Sequence, residues 1–311
     1  MKAFVLDRLD APTRVRDDLP EHTPGEYALL VRVIASSVNP VDAAIAAGML
    51  GTLADYEFPV VLGRDFAGTV EQTGAGVTRY APGDEVYGFV PHVNPAVHDG
   101  SWSELIVVPE DRFVARKPTR VTFEAAGAAP LAGVTALLCI DALKVAQGDV
   151  VLVVGATGGV GSIAVQLAAH AGATVIAPGL PHDYSYLQDL GVAEPVDRDG
   201  DVAQTLRARF GGVSAILDLV SRSRQEFNAH LAALRPSGRG VSPLGADGEQ
   251  PGRSNVMAAP TPENLRRLGQ LLCEENIRIP VQRTYKLEQA AQALQAIITA
   301  HKQGKLAISI T

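Results

Sequence analysis

The chain has 311 residues, 47% of them apolar and only 5% aromatic, and carries a formal net charge of −7 at pH 7. That length allows two domains, the aliphatic composition favours buried parallel strands and Ala-rich helices over an all-β sandwich, and Lys and Arg are too scattered for a nucleic-acid footprint. The cysteines, Cys139 and Cys273, cannot make a disulfide framework or a four-thiolate zinc site, and their sparseness fits a reducing, cytoplasmic location.

The N-terminal run lacks the long apolar core of a signal peptide. The first part of the chain, to about residue 118, is rich in short β-like runs: Ala28–Ile34, Gly68–Glu71, Glu85–Val90 and Leu105–Val108. Turn signals such as Pro82-Gly83-Asp84 separate them. A short helix is expected at Pro40–Ala47, with Asn39 as its cap and Pro40 in the first helical position. Beyond Pro118, strands and helices alternate. Val150–Val154 reads as a buried strand, Gly161–His170 as a helix closed by Gly172, Thr174–Ala177 as a strand and Tyr184–Leu190 as a helix. Ala215–Leu219 is the next strand, Arg222–Leu234 a helix and Arg239–Leu244 a strand. Such alternation predicts an α/β fold with a doubly wound parallel sheet. The polar, Gly-rich loop Gly245–Ser254 is expected to move. Amphipathic helices at Pro262–Glu275 and Leu287–His301 and a strand at Leu306–Ile310 close the chain. The uncharged stretch Val150–Ala169 approaches the roughly 20 residues of a bilayer span, but four glycines interrupt it, so no membrane span is expected.

The strongest signal is Val150-Val-Leu-Val-Val-Gly155-Ala156-Thr157-Gly158-Gly159-Val160-Gly161. Ala156, Gly158 and Gly161 occupy the three positions of the dinucleotide-binding fingerprint, with alanine in place of the first glycine. Small residues let a strand turn tightly into a helix. Gly158 lets a pyrophosphate approach bare backbone, and the helix N-terminus offers free N–H groups. The preceding strand, following helix and next strand supply the context that the motif requires. An NAD site usually has an acid at the end of that next strand, for the ribose 2′-hydroxyl. Here Pro178-Gly179-Leu180-Pro181-His182 follows, and Asp183 comes late. This points to NADPH, with Arg198 and His182 as partners of its 2′-phosphate. Arg198 equally reads as a solvated surface cation.

The run Ser36-Ser-Val-Asn39-Pro40-Val-Asp42, followed by Phe58-Pro-Val-Val-Leu-Gly63-Arg64-Asp65-Phe-Ala-Gly68, resembles the medium-chain dehydrogenase/reductase superfamily. Gly83-Asp84-Glu-Val86-Tyr-Gly88, Gly100-Ser-Trp-Ser-Glu104, Gly133-Val-Thr135-Ala136 and Gly304-Lys305-Leu306 extend the likeness along the chain. It looks most like the zinc-independent quinone oxidoreductase branch. The resemblance implies a GroES-like catalytic domain of residues 1–118, completed by 276–311, with a Rossmann domain at 119–275, and usually a homodimer. Zinc-dependent relatives place a cysteine where Asn39 stands and His-Glu where Arg64-Asp65 stands, so metal-free chemistry is expected. His22, His92 and His98 have no zinc-ligand spacing.

Carried over by position, Asn39 is expected near the nicotinamide ribose, Thr135 beside the nicotinamide ring, and Gly158, Gly159 and Val160 along the pyrophosphate. Asn39 and Asp42 are the catalytic candidates. Asn39 also reads as a plain helix cap, and Asp42 as a first-turn acid favoured by the helix dipole. Where related reductases carry tyrosines in the substrate cleft, this chain has Ala44 and Leu50, so an apolar cleft is expected. The implied activity is NADPH-dependent hydride transfer to a quinone or an α,β-unsaturated carbonyl compound. A specialised enoyl reductase of a biosynthetic, polyketide-type pathway and a non-catalytic NADPH-binding sensor are the alternatives.

Overall fold

The computed structural model describes residues 1–91, 99–246, 252–274 and 277–310. His92, His98, Glu275 and residues 247–251 of the expected mobile loop lie outside them. In chain order the first elements are β1 (Ala3–Leu6), β2 (Arg14–Arg16), β3 (Ala28–Val38), α1 (Pro40–Ala46), β4 (Val60–Val61), β5 (Asp65–Thr73), β6 (Glu85–Phe89), β7 (Leu105–Pro109) and β8 (Val114–Arg116). Next come α2 (Phe123–Ala128), α3 (Pro130–Leu143), β9 (Val150–Val154), α4 (Gly159–His170), β10 (Thr174–Gly179), α5 (Tyr184–Asp189), β11 (Val192–Asp197), α6 (Val202–Phe210), β12 (Val213–Asp218), α7 (Arg224–Leu231), β13 (Leu234–Ser242) and β14 (Arg253–Asn255). The chain closes with α8 (Pro262–Glu274), β15 (Val281–Lys286), α9 (Ala290–Thr299) and β16 (Lys305–Ser309).

Two compact units result. One is Met1–Leu131 together with the segment from Pro260, and the other is Ala132–Ala259. The sequence puts these limits at 118 and 275. They fall at 131 and 260 because α2 packs on β3 and β5, and α8 packs on β8, so both helices belong to the first unit.

In the first unit, among the described residues, the strands run β15-β16-β3-β5-β6-β8, with β7 also paired to β3. Every pairing is antiparallel except β15–β16. A smaller sheet, β2-β1-β4, lies apart from it. The core gathers Phe4, Leu29, Ile45, Phe66, Trp102 and Leu306. Because β3 pairs with β16 on one side and β5 on the other, Lys305, Ser37 and Asp65 come from three neighbouring strands.

In the second unit, among the described residues, six parallel strands run β11-β10-β9-β12-β13-β14. The run Val-Val-Leu-Val-Val of β9 is apolar throughout because both sheet faces are covered. The chain order reverses direction at β9, so the C-terminal end of β9 is the topological switch point, where open α/β sheets bind ligands.

Several boundaries differ from expectation for local reasons. Helix α4 starts at Gly159 rather than Gly161, because Gly158 is its cap. Helix α7 starts at Arg224, where Ser223 and Glu226 cap each other, and it ends at Leu231, since Leu234 already belongs to β13. Strand β10 extends past Ala177 to Gly179 because Pro178 and Gly179 still pair with β11. Helix α6, strand β15 and strand β14, which falls in the expected loop, were not foreseen.

Candidate functional site

The second unit carries the expected turn at the end of β9. The structure separates the roles of its small residues. A Cβ added to Gly161 would stand 2.2 Å from the Gly155 carbonyl oxygen and 2.6 Å from Ala156 Cα, so this glycine lets helix pack on turn. Ala156 and Gly161 are buried, Ala156 completely. Gly158 is different. A Cβ there would come no nearer than 3.5 Å to any neighbour, an ordinary contact. The protein's own packing therefore does not demand glycine at 158. Thr157, Gly158, Gly159 and Val160 are all partly exposed. The N–H groups of the first turn of α4 have no partner within the helix and carry the positive end of its dipole. This bare cradle fits a diphosphate.

At the neighbouring strand end, the Arg198 N–H donates to the Gly179 carbonyl at 3.2 Å. Arg198 is thereby brought beside the end of β10, and its half-exposed side chain lies 3.6 Å from Asp199. His182 is exposed in the 3-10 turn Pro181–Asp183 that follows β10. Asp183, late in sequence, folds back: it is 1% exposed, and its Oδ2 accepts the Leu180 N–H at 3.1 Å. A carboxylate does stand near this strand end, but it is buried and ties the turn together. Thr135 lies on α3, 6% exposed.

A polar cluster that the sequence reading missed sits at the end of β12. Asp218 is completely buried; its Oδ2 pairs with His230 Nδ1 at 2.6 Å and accepts from Ser221 Oγ at 2.7 Å. Its Oδ1 accepts the Val220 and Ser221 N–H groups at 3.0 and 2.9 Å. Burial alone would raise this carboxyl, but the His230 and Ser221 donors and the Val220 N–H outweigh it and hold it below its ordinary value. The cluster pins the turn after β12.

In the first unit, Asn39 occupies the cap position of α1, but its side chain caps nothing. Asp42 supplies the capping bond instead, its Oδ2 accepting the Asn39 N–H at 2.7 Å. The Asn39 amide turns to other strands: Nδ2 donates to Asp65 Oδ2 at 2.8 Å, and Oδ1 accepts from Lys305 Nζ at 2.6 Å. Asp65 Oδ1 accepts the Leu131 N–H at 2.7 Å. Asn39, Asp65 and Lys305 are 2%, 0% and 3% exposed. Asp42 has no exposed surface, and burial pushes its carboxyl up to about 7 against the opposing pull of Arg64 and the Asn39 N–H. Buried Arg64 donates to the Val61 and Pro91 carbonyls. Asp65 and Lys305 were visible in sequence only as parts of longer motifs.

A GroES-like β unit and a doubly wound, dinucleotide-type α/β unit in one chain are the architecture of the two-domain dehydrogenases. The Alcohol dehydrogenase GroES-like domain matches residues 25–119, and the Zinc-binding dehydrogenase domain matches residues 190–308. The chain belongs to the medium-chain dehydrogenase/reductase superfamily. It is similar to the pikromycin polyketide synthase component PikAII of Streptomyces venezuelae, with 31% identity over 92% of this chain and 8% of that protein. A chloroplast envelope quinone oxidoreductase homolog of Arabidopsis thaliana is 26% identical over 93% of this chain and 92% of its own length. Among solved structures, the quinone oxidoreductase from Coxiella burnetii superposes with a TM-score of 0.88 at 28% identity, covering 100% of this chain and 99% of that one. The chain spans less than two thirds of the length of several curated relatives that it matches. Among the described residues no helix is long and apolar enough to cross a membrane.

Proposed function

We propose that this chain is an NADPH-dependent, zinc-independent reductase acting on a quinone or an α,β-unsaturated carbonyl compound. The observation that carries the reading is Gly158, a glycine that the fold does not require, at the head of a helix with free N–H groups and at the switch point of a parallel sheet. When bound, the reduced nicotinamide supplies hydride to the electron-poor carbon of such a substrate. The chain's part is to hold and orient. Thr157, Gly158, Gly159 and Val160 take the pyrophosphate, while Arg198, with His182, takes the 2′-phosphate. The family likeness assigns the nicotinamide ribose to Asn39 and the nicotinamide ring to Thr135. Asp42 is a positioning residue, since its buried carboxyl reaches Asn39 and not the solvent. Zinc independence is supported by the donor set. Asn39 Oδ1 is occupied by an ammonium, and Arg64 offers no lone pair, so a divalent ion would meet cations where ligands are needed. A homodimer, as the family likeness implies, in the cytoplasm, as the sparse cysteines suggest, completes the reading.

The likeness to a polyketide synthase component over 92% of the chain favours a second reading, an enoyl reductase of a biosynthetic pathway. NADPH and NADH titrations, followed by NADPH consumption on a panel of quinones, enones and enoyl thioesters, separate the possibilities. Tight NADPH binding lost in Gly158→Ala, with turnover on quinones or enones, is the expected result. Turnover confined to enoyl thioesters selects the second reading, and binding without any turnover selects a sensor. Undiminished coenzyme affinity in Gly158→Ala overturns the assignment of the turn.

A further inference from the structure

Lys305, the first residue of β16, is almost wholly buried. An ammonium so deep must be paired or hydrogen-bonded. Its Nζ lies 2.6 Å from Asn39 Oδ1, 3.4 Å from the Val38 carbonyl and 3.5 Å from Asp65 Oδ2. The shortest contact is to the neutral amide and not to the carboxylate. A lysine serving only to neutralise Asp65 would sit closest to that anion, at about 2.7–2.9 Å. Asp65 finds its close donors elsewhere, from Ser37 Oγ at 2.5 Å, Asn39 Nδ2 at 2.8 Å and the Leu131 N–H at 2.7 Å.

The Asn39 amide is thus held at both ends, its oxygen by a cation and its nitrogen by an anion. Turning the amide over would set oxygen against carboxylate and NH2 against ammonium, and both contacts would repel. One orientation is therefore enforced. In it the short bond to Lys305 engages Oδ1, and one of the two Nδ2 hydrogens goes to Asp65. What Asn39 can readily offer a ligand is the second Nδ2 hydrogen.

We infer that Lys305 is a positioning residue: with Asp65 it locks the Asn39 amide as a hydrogen-bond donor, and so selects an acceptor oxygen on the ligand that Asn39 meets. The inference rests on the reading above in which that ligand is the ribose of the coenzyme. Burial draws the Lys305 ammonium down from its ordinary value, and Asp65 and Asp42 oppose that pull. Charged or neutral, Nζ still donates, so the lock does not depend on its titration.

The test is a double-mutant cycle on NADPH affinity, measured by fluorescence titration, with thermal unfolding recorded on the same samples. Asn39→Ala and Lys305→Met are each expected to weaken NADPH by about tenfold, the loss of one hydrogen bond in a dry site. The double variant should be no weaker than either single one, because both remove the same bond. Lys305→Arg, which can still donate to Oδ1, should restore most of the affinity. If Lys305→Met lowers the unfolding temperature but leaves NADPH affinity unchanged, Lys305 is only a counter-ion and the inference fails. It fails equally if the losses multiply in the double variant. Should Lys305→Met not fold, 15N-asparagine labelling of the wild-type protein decides. The Asn39 side-chain NH2, assigned by its disappearance in Asn39→Ala, must exchange with solvent far more slowly than a free amide, and free-amide exchange overturns the lock. Unchanged affinity in Asn39→Ala also overturns it. In that event the coenzyme reading stands if Gly158→Ala still abolishes binding, and falls with it otherwise.

Discussion

Asp42→Asn puts a number on what burial does beneath the Asn39 cap. The carboxyl has an ordinary value of 3.8 and is pushed up to about 7 in the folded chain, with burial as the largest cause. A group whose folded value is raised contributes stability that is fully present below the unfolded value and is lost as pH rises through the folded one. The loss starts near pH 4 and is mostly complete just above pH 7. At about 1.36 kcal/mol per pH unit, ionisation of this one carboxyl removes about 3 kcal/mol from the wild-type protein between about pH 4.5 and pH 8. The amide variant does not titrate. Its side-chain oxygen can still accept the Asn39 N–H, so the capping bond survives. Any packing cost of the new NH2 group is the same at every pH. Urea unfolding of both proteins across that range should therefore show the stability difference moving in favour of Asp42→Asn by about 3 kcal/mol. A difference that stays flat, or moves the other way, would refute burial as the dominant influence and show that Arg64 holds Asp42 ionised.

Two further outcomes follow from the turn and the strand end. Arg198→Ala should weaken NADPH by about tenfold and leave NADH unchanged; an equal loss for both coenzymes in parallel titrations would remove Arg198 from the 2′-phosphate. Gly161→Ala, whose Cβ would stand 2.2 Å from the Gly155 carbonyl oxygen, should cost more than about 2 kcal/mol in urea unfolding. Gly158→Ala should cost less than about 1 kcal/mol, and if the two variants were equally stable the division of roles within the turn would be wrong.

Local signals in the sequence reached as far as local physics does. The Val150–Val154 run and its turn were legible because strand, turn and helix are contiguous. Pro40 and Asn39 marked the start of α1 for the same reason. The destination of the Asn39 side chain was not legible. Its partners, Asp65 and Lys305, lie 26 and 266 residues away and meet it only because β3 pairs with both of their strands. Strand β15 was missed because its alternation is blurred by exposed polar residues, with only Tyr285 fully buried. Helix α6 was missed despite readable signals, an Asp201 cap and Gly211 at its end. Asp183 shows how far such a turn can carry a side chain. Its distance in sequence from the β10 end suggested an absent acid, yet the 3-10 turn Pro181–Asp183 returns its carboxyl to within hydrogen-bonding reach of the Leu180 N–H.

A fingerprint of small residues compresses unlike demands into one pattern. Gly161 is small because another part of the same chain occupies the space, which is a requirement of folding. Gly158 is small although a Cβ there would make only an ordinary 3.5 Å contact, so folding does not require it, and the proposed coenzyme is what would. The same distinction applies in the first unit. Asp42 is spent on the backbone of α1, while the Asn39 amide is gripped from both ends and still keeps one hydrogen. A side chain whose bonds are all consumed internally serves the fold. One that is rigidly oriented yet incompletely consumed is available to a ligand, and on that criterion rests the binding role proposed for Asn39 and, in the turn, for Gly158, with Lys305 holding the Asn39 amide in place.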